Sequence, residues 1–184
     1  MPGLPRLTVS LIGYRGTGKT SVARLLATRL GWQCQDADTW LESREGRTIA
    51  EIFASQGEAA FRDLEAEVLQ ELIQRDHYVI SLGGGVVLRA ANREALRGGR
   101  TVWLTASPAT LAQRIAIDPT TGQRRPNLTS QGGLAEIEQL LQVREPLYRQ
   151  CAQLIVDTEQ QTPDEVAARI AEWLAGEGAA WTSG

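Results

Sequence analysis

Residues Gly13 to Thr20, with the sequence GYRGTGKT, follow an apolar run and fit the pattern G-x-x-x-x-G-K-[ST]. In such a loop the glycines let the backbone curl around phosphate groups, the lysine reaches the β- and γ-phosphates, and the hydroxyl binds Mg²⁺. A helix that starts there adds the positive end of its dipole. The pattern predicts a nucleoside triphosphate site. Its expected contacts are Gly16, Thr17, Gly18, Lys19, Thr20 and Ser21.

Two carboxylates, Asp36 and Asp38, come at the end of the second predicted strand. If the strand continues through both, their side chains point to the same side, at the sheet edge where open α/β proteins bind ligands. One carboxylate would then hold the water molecules around Mg²⁺, and the other would accept a hydrogen bond from a hydroxyl group. A solvated acidic turn, or a cap for the next helix, is the alternative interpretation.

Two further segments could help to form a ligand site. On a helix, Glu58, Arg62 and Glu65 share one face, so the two carboxylates can orient the guanidinium group. A ladder of surface ion pairs is the alternative. Three glycines, residues 83–85, end the third predicted strand and would let a ligand press against bare backbone. A loose turn is the competing interpretation.

Short apolar runs alternate with longer amphipathic ones, which predicts an α/β protein with a parallel sheet. The predicted strands are 7–13, 32–36, 78–82, 101–104 and 154–156, and the predicted helices are 19–30, 48–55, 58–74, 90–96, 107–115, 136–151 and 163–174. Residues 1–175 are expected to form one domain, and residues 176–184 a frayed tail. Residues 118–133 lack apolar periodicity, so they are expected to form a lid or a disordered segment.

Composition excludes several classes of protein. The 184 residues are 42% hydrophobic and 22% charged, with a net charge of -3, so no global attraction to nucleic acid or to an acidic membrane is expected. Cys34 and Cys151 match no metal spacing and are expected to be reduced thiols. The sequence has neither a signal peptide pattern nor the run of ~18 apolar residues that a membrane span needs. A cytoplasmic protein is expected.

Taken in their order and spacing, these features resemble the shikimate kinase family from Leu7 to about Trp173. The motifs that carry the resemblance are the phosphate loop, Asp36-Ala-Asp38, Phe61-Arg62-x-x-Glu65, Gly83-Gly84-Gly85, Arg125-Pro126 and Arg144-Glu-Pro-Leu-Tyr148. The resemblance implies a three-layer P-loop NTPase fold of the nucleoside-monophosphate-kinase type. Such a fold has a five-stranded parallel sheet in the order 2-3-1-4-5 and a mobile lid.

The reaction implied by the resemblance is the Mg²⁺-dependent transfer of the γ-phosphate of ATP to the 3-hydroxyl of shikimate, within the chorismate pathway of aromatic amino acid biosynthesis. The products are shikimate 3-phosphate and ADP. On the acceptor side, the resemblance makes Asp38 the candidate base that holds the hydroxyl. It also implies that shikimate is bound by Arg62, Arg144 and the backbone of Gly83, Gly84 and Gly85.

On the nucleotide side, the resemblance implies that Asp36 acts on Mg²⁺ through water, beside Thr20. Arg125 would move in from the lid to the phosphates, and Arg114 and Pro163 would flank the adenine. A planar guanidinium pair suits a carboxylate better than lysine does. Phosphoryl transfer itself needs mainly positioning and neutralisation of charge, which these residue types supply.

The lid departs from the family pattern. Arg125-Pro126 is followed by Asn127-Leu128 rather than by two leucines, and the stretch between Arg114 and Arg125 is a few residues longer than is common. Arg124 is therefore an alternative to Arg125 as the acting arginine.

Three other functions compete. Gluconate kinases share the P-loop but give no reason for Arg62, the three glycines and Arg144 to occur together. A nucleoside-monophosphate kinase would need a second base-binding segment, and the sequence shows none. A nucleotide-dependent switch would need Asn-Lys-x-Asp for guanine, and no such run is present. The expected partners are ATP and shikimate, bound by a monomer.

Overall fold

The computed structural model describes residues 7–117 and 133–181. Five parallel strands form one sheet in the order β2-β3-β1-β4-β5, which confirms the predicted order. The strands are β1 (Thr8–Ile12), β2 (Gln33–Asp36), β3 (Tyr78–Ser81), β4 (Arg100–Thr105) and β5 (Leu154–Asp157). The first strand lies at the centre, so the loop that follows it leaves from the middle of the sheet.

Helices cover both faces of this sheet. They are α1 (Lys19–Leu30), α2 (Ala37–Glu45), α3 (Ile49–Leu72), α4 (Ala90–Arg97), α5 (Pro108–Ile117), α6 (Gly133–Cys151) and α7 (Pro163–Trp181), with a 3₁₀ turn at Val86–Leu88. On one face, Val9 and Leu11 of β1 pack with residues of α1 and α7. On the other, Ile12 packs with residues of α2, α3 and α6. All five residues of β1, including the polar Thr8 and Ser10, are buried because helices cover both faces of the sheet.

Side-chain oxygens cap the starts of α3, α5 and α7, which begin at or within one residue of their predicted positions. Thr48 and Glu51 form a reciprocal capping box at the start of α3. At the start of α7, the Glu165 N–H donates to Thr162 Oγ1 and the Thr162 N–H donates to Glu165 Oε2. Before α5, the Thr110 N–H donates to Ser107 Oγ. Side-chain oxygens thus accept from N–H groups that have no partner within the first turn of their helix.

Several boundaries differ from the predictions. Helix α2 was not predicted, and α6 begins at Gly133, inside the range assigned to the lid. Helix α7 continues past the predicted end to Trp181. The break predicted between the two helices of residues 48–74 is present as a kink in α3, where Gly57 adopts φ 80°, ψ 177°.

Within the described residues, no helix is both long enough and apolar enough to cross a membrane.

Candidate active site

The phosphate loop lies between β1 and α1 and is held by its own backbone. Lys19 is only 9% exposed, and its Nζ donates to the carbonyl oxygens of Gly13 and Tyr14, both at 2.9 Å. The Thr17 hydroxyl donates to the same Tyr14 carbonyl at 2.8 Å. Gly18 precedes the first turn of α1, where Thr20 lies beside an exposed Ser21. The loop therefore places a buried cation next to the first N–H groups of α1, which suits a polyphosphate.

Hydroxyl and carboxylate oxygens gather beside this loop. Thr20 Oγ1 donates to Asp36 Oδ2 at 2.9 Å and lies 3.3 Å from Ser81 Oγ. Asp36 and Ser81 are register partners at the carboxyl ends of β2 and β3, which explains why they meet. Hard oxygen donors of this kind, few in number and next to a phosphate site, match the way Mg²⁺ is usually bound.

The prediction for the two aspartates needs a correction. Asp36 ends β2, and its Oδ1 accepts from the Thr39 N–H at 3.1 Å, so it caps α2 as well as facing Thr20. Asp38 is half-buried in the first turn of α2 rather than on a continuing strand. The continuing strand was therefore wrong, and the alternative interpretation, a helix cap, is confirmed for Asp36, because its carboxylate stabilises the start of α2.

Arg62 is oriented by carboxylates, as the sequence predicted. It is 7% exposed in α3, and its guanidinium contacts Glu58 Oε1 at 3.0 Å and Glu65 Oε2 at 2.7 Å. A Cβ atom added to Gly85 would lie 2.2 Å from Arg62 Nη1. The guanidinium group therefore packs directly on the glycine backbone, and any side chain at position 85 would displace it.

Arg144 reaches the same glycines from α6. It is 5% exposed, and within residues 7–117 and 133–181 it forms no ion pair. A Cβ atom on Gly84 would lie 3.6 Å from Arg144 Nη1 and 3.3 Å from the carbonyl oxygen of Gly13. A buried guanidinium without a described carboxylate partner favours an anionic ligand. Its position next to Gly13 puts that ligand beside the phosphate loop.

A cavity of about 210 Å³ opens on the other side of the loop. Its lining includes Gly16, Gly18, Arg114, Thr158, Pro163 and Val166. Arg114 Nη2 donates to the Thr158 carbonyl at 2.7 Å and Nη1 to the Thr158 hydroxyl at 3.0 Å, so its guanidinium is fixed at the cavity wall. The predicted adenine neighbours Arg114 and Pro163 are thus brought together, next to the phosphate loop.

Hydrogen bonds to Glu159, a residue that the sequence analysis did not single out, hold the segment after β5 in place. Glu159 accepts from the Ser107 N–H at 2.8 Å, the Ser107 hydroxyl at 2.7 Å and the Thr110 hydroxyl at 2.5 Å. These hydrogen bonds, above all the one from the Ser107 backbone, lower the pKa of Glu159 to about 2. They tie the residue after Thr158 to the start of α5, which carries Arg114.

A second pair missed by the sequence analysis links the phosphate loop to α6. Arg15 Nη2 lies 3.2 Å from Oε1 of Glu136, whose side chain is fully buried. Burial raises the pKa of the neighbouring Tyr14 hydroxyl. No signal in the sequence joins positions 15 and 136, because they belong to elements far apart in the chain.

The lid residues Arg124 and Arg125 lie outside the described residues, so their predicted roles stay predictions.

The parallel sheet, its strand order and the phosphate loop define a P-loop kinase of the nucleoside-monophosphate-kinase type. A gluconokinase from Sinorhizobium meliloti shares this fold at a TM-score of 0.52, with 21% identity over 94% of this chain and 97% of that one. A shikimate kinase from Acinetobacter baumannii, solved in complex with shikimate, is far more similar. Its TM-score is 0.86, with 35% identity and 94% coverage of both chains.

Sequence comparison narrows the class to one family. The shikimate kinase family model matches residues 15–175. A shikimate kinase of Rhodopirellula baltica is 45% identical over 161 residues, which cover 87% of this chain and 86% of the relative. One from Oleidesulfovibrio alaskensis is 43% identical, with 92% and 98% covered. The chain belongs to the shikimate kinase family and is an ATP-dependent phosphotransferase.

Proposed function

We propose that the protein transfers the γ-phosphate of ATP to the 3-hydroxyl of shikimate, giving shikimate 3-phosphate and ADP. The observation that carries this proposal is the meeting of two buried guanidinium groups, Arg62 and Arg144, on adjacent glycines beside the phosphate loop. Shikimate has one carboxylate, which needs such a cradle, and a hydroxyl that would face the phosphates. A neutral sugar would leave Arg144 buried without a counterion.

In the reaction, the acceptor oxygen forms a bond to the γ-phosphorus while the bond to the β-phosphate oxygen breaks. The hydroxyl proton passes to Asp38, which holds the acceptor in line for transfer. Lys19 and the N–H groups at the start of α1 bind the transferring and leaving phosphates. Because little covalent chemistry falls to the protein, positioning and charge neutralisation account for most of the rate.

Thr20 and Asp36 would hold Mg²⁺, the first directly and the second through water. Their oxygens lie within one hydrogen bond of each other, next to the phosphate loop. When bound, the ion neutralises charge on the phosphates and orients them. Asp36 keeps the Thr20 hydroxyl turned toward this position while it caps α2.

The nucleotide base would lie in the cavity between Arg114 and Pro163. The two hydrogen bonds to Thr158 fix the guanidinium plane of Arg114 at the cavity wall. Arg125, from the lid, is proposed to contact the transferring phosphate, and Ser21 to flank the phosphate site from α1.

We also propose that the protein is a monomer that acts in the cytoplasm. Each proposed contact to ATP and shikimate comes from a single chain, and the cytoplasm supplies the ATP. Size-exclusion chromatography with light scattering tests the first of these proposals, since a stable dimer would double the measured mass.

A coupled ADP-release assay tests the proposed reaction. The purified protein is given ATP and Mg²⁺ with shikimate, gluconate or a nucleoside monophosphate, and each product is identified by mass. We expect ADP release and a phosphorylated product with shikimate alone. Turnover of gluconate or a nucleotide, with none of shikimate, would overturn the proposal.

A further inference from the structure

Tyr148 is fully buried and bonded to the glycine loop, yet no role in the reaction described above falls to it. It lies in α6, and its hydroxyl donates to the carbonyl oxygen of Gly84 at 2.5 Å. A Cβ atom on Gly84 would lie 3.3 Å from the Tyr148 Oη and 3.3 Å from the Gly13 carbonyl. Gly84 is thus wedged between the phosphate loop and this hydroxyl.

The ring of Tyr148 packs against a second aromatic side chain. It stacks on Trp103 with 5.6 Å between ring centroids and 28° between planes. Trp103 is the register partner of Ile12 in β1, the residue immediately before the phosphate loop. The hydroxyl therefore approaches Gly84 from a ring that the centre of the sheet keeps in place, because stacked aromatic pairs prefer defined geometries.

The hydrogen bond has a consequence for the peptide between Gly84 and Gly85. In a trans peptide the carbonyl and the N–H point in opposite directions. With the Gly84 carbonyl turned to Tyr148, the Gly85 N–H points away from it. Within residues 7–117 and 133–181, neither the Gly84 nor the Gly85 N–H donates a backbone hydrogen bond, although both glycines are buried. Backbone N–H groups in buried residues nearly always have a partner, so these two are open to a ligand or to an ordered water.

Tyr148 also follows Arg144 by one helical turn, and such residues lie on the same face of a helix. Both reach Gly84: the Arg144 Nη1 and the Tyr148 Oη are 3.6 Å and 3.3 Å from the same Cβ position. One helix face thus presents a cation and a hydroxyl that fixes the adjacent peptide.

We propose that Tyr148 is a positioning residue that sets the Gly84–Gly85 peptide and Arg144 in one fixed arrangement for the carboxylate of the acceptor. This rests on the proposed function, and it assigns Tyr148 a task that it performs through other groups, without touching the acceptor. If Tyr148 only stabilised the fold, its loss would change kcat/KM by the same factor for every acceptor. A positioning tyrosine instead lowers kcat/KM most for acceptors whose binding depends on their carboxylate.

The test compares Tyr148→Phe, which removes only the hydroxyl, with the parent enzyme on shikimate and on shikimate methyl ester. We expect kcat/KM for shikimate to fall about tenfold, through KM, as the loss of one hydrogen bond in a charged network predicts. KM for ATP should stay within about twofold of the parent value. The fall in kcat/KM should be much smaller for the ester than for the acid. Tyr78→Phe is the matched control, because Tyr78 lies at the opposite end of β3. This control variant should have the parent's kcat/KM for both the acid and the ester.

Equal losses for acid and ester, or a lowered Tm with unchanged kinetic constants, would overturn the proposal and leave Tyr148 a structural residue. If Tyr148→Phe does not fold, Trp103→Phe keeps the hydroxyl but loosens the stack, and the same selective loss for the acid is expected to a smaller degree. No turnover of shikimate by the parent enzyme would instead refute the proposed function, so the two failures are distinguishable.

Discussion

The phosphate side and the acceptor side of the site hold their cations in different ways. Lys19 is fixed by two carbonyl oxygens that lie five and six residues before it. Arg144 comes from α6 and meets Gly84, which belongs to a distant segment of the chain. One half of the site is thus a local backbone structure, and the other exists only once distant elements have packed. The first should tolerate changes in the core better than the second.

The two arginines of the acceptor side also differ from each other. Arg62 has two carboxylate partners, Glu58 and Glu65, whereas Arg144 has no described ion pair. The charge of Arg62 is therefore largely neutralised in place, while that of Arg144 remains available for a ligand. We expect Arg144 to contribute more of the electrostatic attraction for an anionic acceptor. Arg62 should contribute more to the shape of the acceptor site.

The largest effect should come from the phosphate side. Lys19→Ala removes the buried cation of the loop, and we expect kcat to fall roughly 10³-fold, as the loss of one preorganised charge at a transition state predicts. Circular dichroism should show an intact fold, since the neighbouring contacts are made by backbone. Near-normal turnover in a well-folded variant would refute the assignment of the phosphate loop.

Asp38→Asn should have the next largest effect. The variant keeps the shape of the side chain but loses the charge that accepts the hydroxyl proton, so kcat should fall about 10²-fold or more. Steady-state kinetics at saturating shikimate measures it.

Asp36→Asn is the matched comparison for that experiment. Asp36 accepts from Thr20 and caps α2; asparagine caps a helix about as well as aspartate, so the variant should keep its Tm but raise the Mg²⁺ requirement. If Asp36→Asn were the more damaging to kcat and Asp38→Asn nearly silent, the roles of the two carboxylates would be reversed.

The lid arginines should have a smaller effect. Arg125 directly precedes Pro126, which favours an extended backbone at that residue, so Arg125 rather than Arg124 is expected to reach the phosphates. Arg125→Ala should lower kcat by about tenfold or more, while Arg124→Ala stays mild. The opposite ranking would mean that the longer lid has shifted its register by one residue.

Much of this organisation could be predicted from the sequence, for identifiable reasons. The phosphate loop is contiguous, and the strand order followed from the family resemblance. The position of Asp38 stayed open, because the sequence allowed either a continuing strand or a helix cap at Asp36, and only the structure shows that the cap is formed. The contacts of Arg144 with Gly84 and of Arg15 with Glu136 depend on packing between distant elements, which no local pattern encodes.

The smallest effect concerns acid stability at the nucleotide side. The pKa of Glu159 is lowered from 4.5 to about 2 by hydrogen bonds from Ser107 and Thr110. A depressed folded-state pKa gives stability that is present above the ordinary value and is lost as pH falls toward the folded value. Between pH 5 and about 2, Glu159→Gln should therefore show a flatter decline of Tm than the parent. Parallel declines would show that this carboxylate contributes nothing to acid stability.

Discrimination between shikimate and its methyl ester tests the central claim most directly, namely that Arg144 binds the acceptor carboxylate beside the phosphate loop. The parent enzyme should prefer the acid by about 10- to 100-fold in kcat/KM, the range of a charge-assisted bidentate pair. Arg144→Lys should lose most of that preference, because lysine lacks the planar fork. Arg149→Lys, on an exposed position of the same helix, should keep it. An unchanged preference in Arg144→Lys would contradict the account.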